Sequence, residues 1–495
     1  MNLGETLQRL SPELILLVTG VVVLIVDLAW RDEEAKTAWV PGLAVTGLAL
    51  ALLATILLWG TPPTTVLTMM AVDPFALFFK ILALGTVILV TLAATPYLQG
   101  RTPYRAEFYA LLIFAGLAIS LASASINLIS LYLSMEFLSI TSYVMAGYLR
   151  DDMKSSEAGI KYFLYGAVTS AVMLYGMSLL YGATGTTDLA EIAARLSSGA
   201  AMGDLAVAAI VLMLTGFAFK IVLAPFHQWA PDTYEGAPTP VTAFLSVGSK
   251  GAGFAILMRV LLLAMPAFRY DIGWMAFLMA LSIISMALGN LIALRQSNIK
   301  RMLAYSSIAQ AGYIVIGFVS LTMDVDGAFL GVNGSLFYLF AYLFTNLAVF
   351  LGVIAFETAT GSVEIADFRG LVRRSPVVAG VMLIGLLSLA GIPGTGGFLG
   401  KFFVFGSAIQ FNTPQTLTLA IVGVVTSVIA AFYYLNVVRY MFFEPAEEGA
   451  GPLQVSPVFK VGLAIAAIGI LVVGIYPQPF INLATESIQM LGMAF

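Results

Sequence analysis

Residues 219–259 read FKIVLAPFHQWAPDTYEGAPTPVTAFLSVGSKGAGFAILMR, joining the end of one apolar run to most of the next. A membrane-crossing helix needs about 20 apolar residues for a hydrocarbon core about 30 Å thick, and both runs reach that length. Each also holds a lysine, Lys220 in the first and Lys250 in the second. A charged side chain at the centre of an isolated membrane helix costs at least about 2.5–3.5 kcal/mol, so the protein must compensate for it. Lys250 lies about eleven residues into its run, roughly 16 Å at 1.5 Å per residue, which is the midplane. Lys220 stands five residues before Pro225, whose missing N–H opens a helix. Irregular backbone at that depth is tolerated only where protein buries it or water lines it.

The whole chain carries the same signature. Of its 495 residues 60% are apolar and only 10% charged, against about 45–50% and about 25% in soluble proteins. A soluble core cannot hide that excess, which excludes a soluble enzyme, a disordered chain and a nucleic-acid binder. No Cys and one His, His227, leave no ligands for a disulfide, an iron–sulfur cluster or a bis-His haem held by this chain alone. The net charge of −4 is small and no basic run is long enough to steer a polyanion. MNLGETLQRLSPELILL at the start lacks a basic region and a cleavage site, and reads as the beginning of the first span.

Apolar stretches recur near 12–30, 38–59, 74–95, 106–124, 127–148, 158–181, 205–229, 239–264, 273–294, 301–321, 330–356, 377–409, 415–442 and 457–476. None alternates apolar with polar as barrel strands do, so the expected class is an all-α polytopic membrane protein with about 14 transmembrane helices. Basic residues test the count, because they stay on the cytoplasmic side. Fourteen fall in odd-numbered connections, beginning with Arg31 and Lys36, whereas the even connections and termini hold only Arg9, Arg195 and Arg269. That places both ends outside.

Six basic residues remain within spans: Lys80, Lys161, Lys220, Lys250, Arg259 and Lys401. Lys161 and Arg259 lie near span ends, where long side chains snorkel to the interface; Lys80 is ambiguous. Glu136, about nine residues into the fifth span, is deep. Lys401 follows AGIPGTGGFLG, residues 390–400, a second helix-opening run. Lys220 and Lys401 are five spans apart, and a five-helix repeat must be inverted in its second copy. Spans four to eight and nine to thirteen are therefore expected as two inverted repeats, each with a broken helix. The units are residues 1–100, 101–266, 267–445 and 446–495.

Buried amines near a carboxylate suit proton transfer, since desolvation disfavours the ammonium while a nearby carboxylate favours it. Ser246, Ser249, Tyr305 and Ser306 could order water between them, although helix packing explains such residues equally well. His227 could relay protons or fix its loop through a hydrogen bond; both readings stand.

SMEFLSITSYVMAGYLRDDMKSSEAGIKYFLYGA (134–167), the stretch quoted first, SNIKRMLAYSSIAQAGY (297–313) and AGIPGTGGFLGKF (390–402) resemble the antiporter-like membrane subunits of respiratory complex I and of multisubunit Na⁺/H⁺ antiporters. The resemblance covers spans four to thirteen. It implies a proton-translocating subunit of an NADH–quinone oxidoreductase in a bacterial inner membrane, with a cation/proton antiporter subunit as the alternative. It also implies that Glu136 pairs with Lys220, that Lys250 is the central and Lys401 the far group of the path, and that Lys161 and His227 are secondary. The chain itself would bind no cofactor. NADH, FMN, iron–sulfur clusters and quinone would belong to partner subunits, and the neighbours would be the antiporter-like subunits M and L, small membrane subunits and lipid. A third reading makes the buried charges a passive scaffold that fixes helix register.

Overall fold

The computed structural model describes residues 2–30, 33–199, 203–265, 272–319 and 331–493. Arg31 and Arg269 fall outside the described residues, as does the side chain of Lys36. Apolar sequence in lipid must satisfy its backbone internally, and helices do so within each segment. Among the described residues twelve helices are long and apolar enough to cross a membrane. At the seventh and twelfth apolar stretches the helix is cut, leaving the shorter Leu205–Ile221 and Pro376–Ala390.

Burial sorts the spans. The eighth (Thr239–Ala264), tenth (Ile299–Val319) and eleventh (Val332–Thr360) are buried along nearly their whole length. The first (Ser11–Ala29), thirteenth (Pro414–Phe443) and fourteenth (Pro457–Ile475) are peripheral and turn large apolar side chains outward, among them Leu28, Phe432 and Ile475. Outward apolar groups are what a lipid-facing helix requires, and the most enclosed helix, the eighth, carries Lys250 and Arg259.

Each break has an identifiable cause. The seventh span ends at Ile221; Val222 then takes φ 65°, and Ala224 precedes a cis Pro225. Freed backbone groups find partners: the Ala224 N–H donates to Ser285 Oγ at 2.9 Å, and Trp229 Nε1 donates to the Phe219 carbonyl at 3.1 Å. The twelfth stretch ends at Ala390, with Gly391 at φ 90° as its cap, and resumes as Gly396–Phe411. Glycine takes that left-handed conformation without steric cost.

One motif occurs twice. Asn127 caps Leu128–Ala146 and bridges Asp188, with Leu128 N–H donating to Thr187 O at 2.8 Å and Leu189 N–H to Ile126 O at 3.0 Å. Asn298, just before Ile299–Val319, bridges Glu364, with Ile299 N–H donating to Val363 O at 2.9 Å and Ile365 N–H to Ser297 O at 2.8 Å. The fifth and tenth spans thus start in the same way. A feature absent from the sequence reading is a small hairpin, Thr64–Val66 with Met70–Val72, which pairs on to Ser125.

Candidate functional site

Of the six basic residues within spans, Arg259 departs from the snorkelling expected of it, and Lys80, ambiguous in the sequence, is resolved as buried. Arg259 does not snorkel: its guanidinium is buried and grips Asp73, with Nη1 and Nη2 at 2.8 and 2.9 Å from the carboxylate. Lys80 is buried and pairs with Glu13 at 2.7 Å. Lys161 is partly exposed, as a residue near a span end should be, yet it is bound to Asp232 at 2.7 Å and Glu157 at 2.6 Å.

The remaining three lysines are buried and held by neutral oxygens. Lys220, in the last turn before the first break, donates to Ser139 Oγ at 3.1 Å. Glu136 lies one turn earlier on the helix of Ser139, and its carboxylate accepts from Ser170. The expected direct Glu136–Lys220 contact is not formed: Lys220 is bound to Ser139 and Glu136 to Ser170. Lys250 donates to the Ser307 carbonyl at 2.6 Å and to Ser307 Oγ, with its ammonium 5.4 Å from the centre of the Tyr342 ring. Lys401 reaches across the second break to the carbonyls of Leu389 at 2.9 Å and Ala390 at 3.2 Å, and lies 4.9 Å from the centre of the Tyr313 ring. Those carbonyls end a helix, where a cation is favoured by the helix dipole.

Close packing brings Lys220 and Lys250 together, and a set of hydrogen bonds leads toward Lys401. A Cβ at Gly253, one turn after Lys250, would come within 3.2 Å of the Lys220 stem, so glycine is what lets the two lysine-bearing helices meet. Next to Ser307 in the chain, the Ser306 hydroxyl begins a separate set of bonds by pairing with Tyr434 Oη. Gln310 Nε2 then contacts Tyr434 Oη at 3.3 Å and, at 3.4 Å, the Leu389 carbonyl that also receives Lys401. Tyr338 Oη donates to Gln310 Oε1. Hydroxyls and amides of this kind can donate and accept at once, as a chain of proton transfers needs.

Of the hydroxyls singled out in the sequence, Ser306 is in this chain. Ser246 instead accepts from Asn346 at 2.6 Å, and Ser249 Oγ is buried without a hydrogen-bond partner. Ser139, Ser307, Gln310 and Tyr434 were missed. For Ser306, Ser307 and Gln310 a signal existed: they share neighbouring turns of an otherwise apolar helix.

At one end lies a charged cluster on the short helix Trp229–Gly236. Asp232 accepts from Lys161 and from Arg301, both at 2.7 Å, and Glu235 accepts from Arg301 and Lys154, both at 3.1 Å. Burial pushes both carboxyls up, but Lys161 and Arg301 at Asp232, and Lys154 and Arg301 at Glu235, outweigh it and hold them below the usual carboxylate range. Tyr234, between them, places its hydroxyl 3.5 Å from Ser307 Oγ. His227 sits in the turn after the first break, close to Pro225. Among the described residues no group of three His, Cys, Asp or Glu side chains could hold a metal ion.

Residues 125–430 match the family model described as NADH:quinone oxidoreductase/Mrp antiporter, TM. A Trichlorobacter lovleyi protein named NADH-quinone oxidoreductase subunit N is 40% identical over 99% of the chain and 100% of its own length. A chain of Thermus thermophilus respiratory complex I, solved with bound aureothin, superposes with a TM-score of 0.79 at 32% identity, covering 95% of this chain and 98% of that one. A chain of the Mrp complex from Dietzia, at 19% identity and a TM-score of 0.82 over 99% of this chain and 98% of that one, shares the fold.

Proposed function

The chain belongs to the NADH:quinone oxidoreductase/Mrp antiporter family of membrane subunits, of the type named subunit N, and from that membership we propose that it carries protons along the line Glu136–Lys220–Lys250–Lys401. The observation that carries the reading is the chemistry around the three lysines. Lys80, by contrast, is paired with the carboxylate of Glu13, and removing either charge would strand the other in a low dielectric. Lys220, Lys250 and Lys401 are held by serine and carbonyl oxygens. An amine held in that way can give up its proton without leaving a buried anion behind. The linked Ser306, Tyr434 and Gln310 side chains supply steps on the side of Lys401, and the salt-bridged cluster at Asp232 and Glu235 is the charged end of the line.

The recurring cap at Asn127 and Asn298 supports two five-helix copies, residues 101–266 and 267–445, flanked by 1–100 and 446–495, with the two cut helices completing fourteen crossings. NADH, flavin, clusters and quinone belong in this reading to partner subunits in a bacterial inner membrane, beside further antiporter-like and small membrane subunits, with both termini outside. Lys161 and His227 are secondary: the first anchors Asp232, and the second lies beside the first break.

The test is Lys250→Met in the assembled complex within sealed membrane vesicles. We expect normal assembly and a clear fall in protons translocated per electron. An unchanged ratio in assembled complex would leave the lysines as a scaffold.

A further inference from the structure

The eighth span is not a uniform helix. Ten α-helical residues, Lys250–Arg259, lie between two π-helical turns, Leu245–Ser249 and Val260–Ala264. A π turn accommodates an extra residue and occurs mostly as a short insertion at functional sites. The α segment begins with Lys250 and ends with Arg259, two buried cations about 14 Å apart along the axis.

Each cation is held by a different part of the molecule. Lys250 is bound to Ser307 of the tenth span. Arg259 makes its two bonds to Asp73, donates from Nε to the Ser123 carbonyl at 2.9 Å, and lies 4.8 Å from the centre of the Phe75 ring. Asp73 is itself fixed, because it caps the third span (Pro74–Leu98) by accepting from the Ala76 N–H at 2.7 Å. Two turns further along that helix, Lys80 pairs with Glu13 of the first span. The N-terminal helices therefore hold the far end of the segment that carries Lys250.

We propose that the Asp73–Arg259 pair is a positioning device for Lys250, fixing the rotation of the ten-residue segment between its two π turns. This rests on the reading of Lys250 as a proton-carrying group. If one π turn passes a residue to the other, the segment advances about 1.5 Å and rotates about 100°. Both cations sit on that one segment, so such a shift takes Lys250 away from Ser307 and Arg259 away from Asp73 together. A guanidinium bound through two parallel bonds to a carboxylate is directional in a way that an ammonium is not. Arg259 accordingly selects the register, and Lys250 follows it.

Asp73→Asn, Asp73→Glu and Lys250→Met, each in the assembled complex in sealed vesicles, separate the possibilities by protons translocated per electron. We expect Asp73→Asn to reproduce the loss seen with Lys250→Met, and Asp73→Glu, which keeps the charge, to restore most of it. A lowered ratio in Lys250→Met with a normal one in Asp73→Asn overturns the positioning role and leaves the proton line standing. A normal ratio in Lys250→Met overturns the proton line itself. Should Asp73→Asn fail to assemble, backbone hydrogen exchange on the unmutated complex decides. Amides of Leu245–Ser249 and Val260–Ala264 should exchange faster than those of the intervening α segment, and uniform protection across the span contradicts the device.

Discussion

At the scale of single residues, what matters is what each buried charge is bound to. Lys250 has two acceptors on one residue, the Ser307 carbonyl and Oγ, so Ser307→Ala removes one and keeps the other. A hydrogen bond to a charged group contributes about 1.5–3 kcal/mol, and its loss should slow proton translocation by roughly tenfold while leaving more than Lys250→Met does. Equal losses in the two variants would mean that the hydroxyl alone carries the step. Asp232 gives a pH-dependent case. Its carboxyl titrates below its ordinary value in the folded chain, so its bonds to Lys161 and Arg301 stabilise the fold above the unfolded value of about 3.9 and are lost as acid protonates it. Because the cluster is partly solvated, the contribution is small, roughly 0.5–1 kcal/mol. Asp232→Asn should therefore lower the unfolding temperature slightly and equally from pH 8 down to about pH 5, and the difference should shrink as the pH falls through the lowered value of the folded carboxyl. A difference that persists in acid would place the effect in packing.

Among the helices, the two breaks are where sequence and geometry agree best. Pro225 and the run of glycines at 391, 394, 396 and 397 marked them in advance, because a missing donor and a missing Cβ are local properties. Gly397 is the sharpest instance: a Cβ there would lie 2.1 Å from the Ser388 carbonyl oxygen. Gly397→Ala must push the half-helices apart, which should cost about 1–3 kcal/mol and displace Lys401 from Leu389 and Ala390. A lowered unfolding temperature together with reduced translocation is expected; an unchanged temperature would mean that the break absorbs a methyl group. Partner choice was far less legible. Nothing local told that Lys80 would find Glu13, that Arg259 would be buried on Asp73, or that Glu136 and Lys220 would each take a serine partner, because each of these contacts joins different helices. Snorkelling was inferred for Arg259 from its distance to the span end, and a long-range carboxylate overrode it.

Across the whole molecule, composition sufficed for the class, whereas the contacts of the deep lysines waited on the packing of the eighth, tenth, eleventh and thirteenth spans. If Lys220 and Lys401 serve one path, removing both should impair translocation no more than removing one, while their effects on stability add as they do for distant sites. Translocation losses that multiply in Lys220→Ala/Lys401→Ala would instead describe two independent routes. One small feature connects the two regions of this path. Ser307 Oγ has one hydrogen and two lone pairs, and three neighbours claim them: Lys250, Tyr342 at 3.5 Å and Tyr234 at 3.5 Å. The valence of that oxygen is full. A water molecule arriving there must evict one of the three, and Tyr234 is the one mounted between Asp232 and Glu235. On the proposed reading, water reaching Ser307 and movement of the helix that carries Asp232 and Glu235 would be coupled through this one hydroxyl.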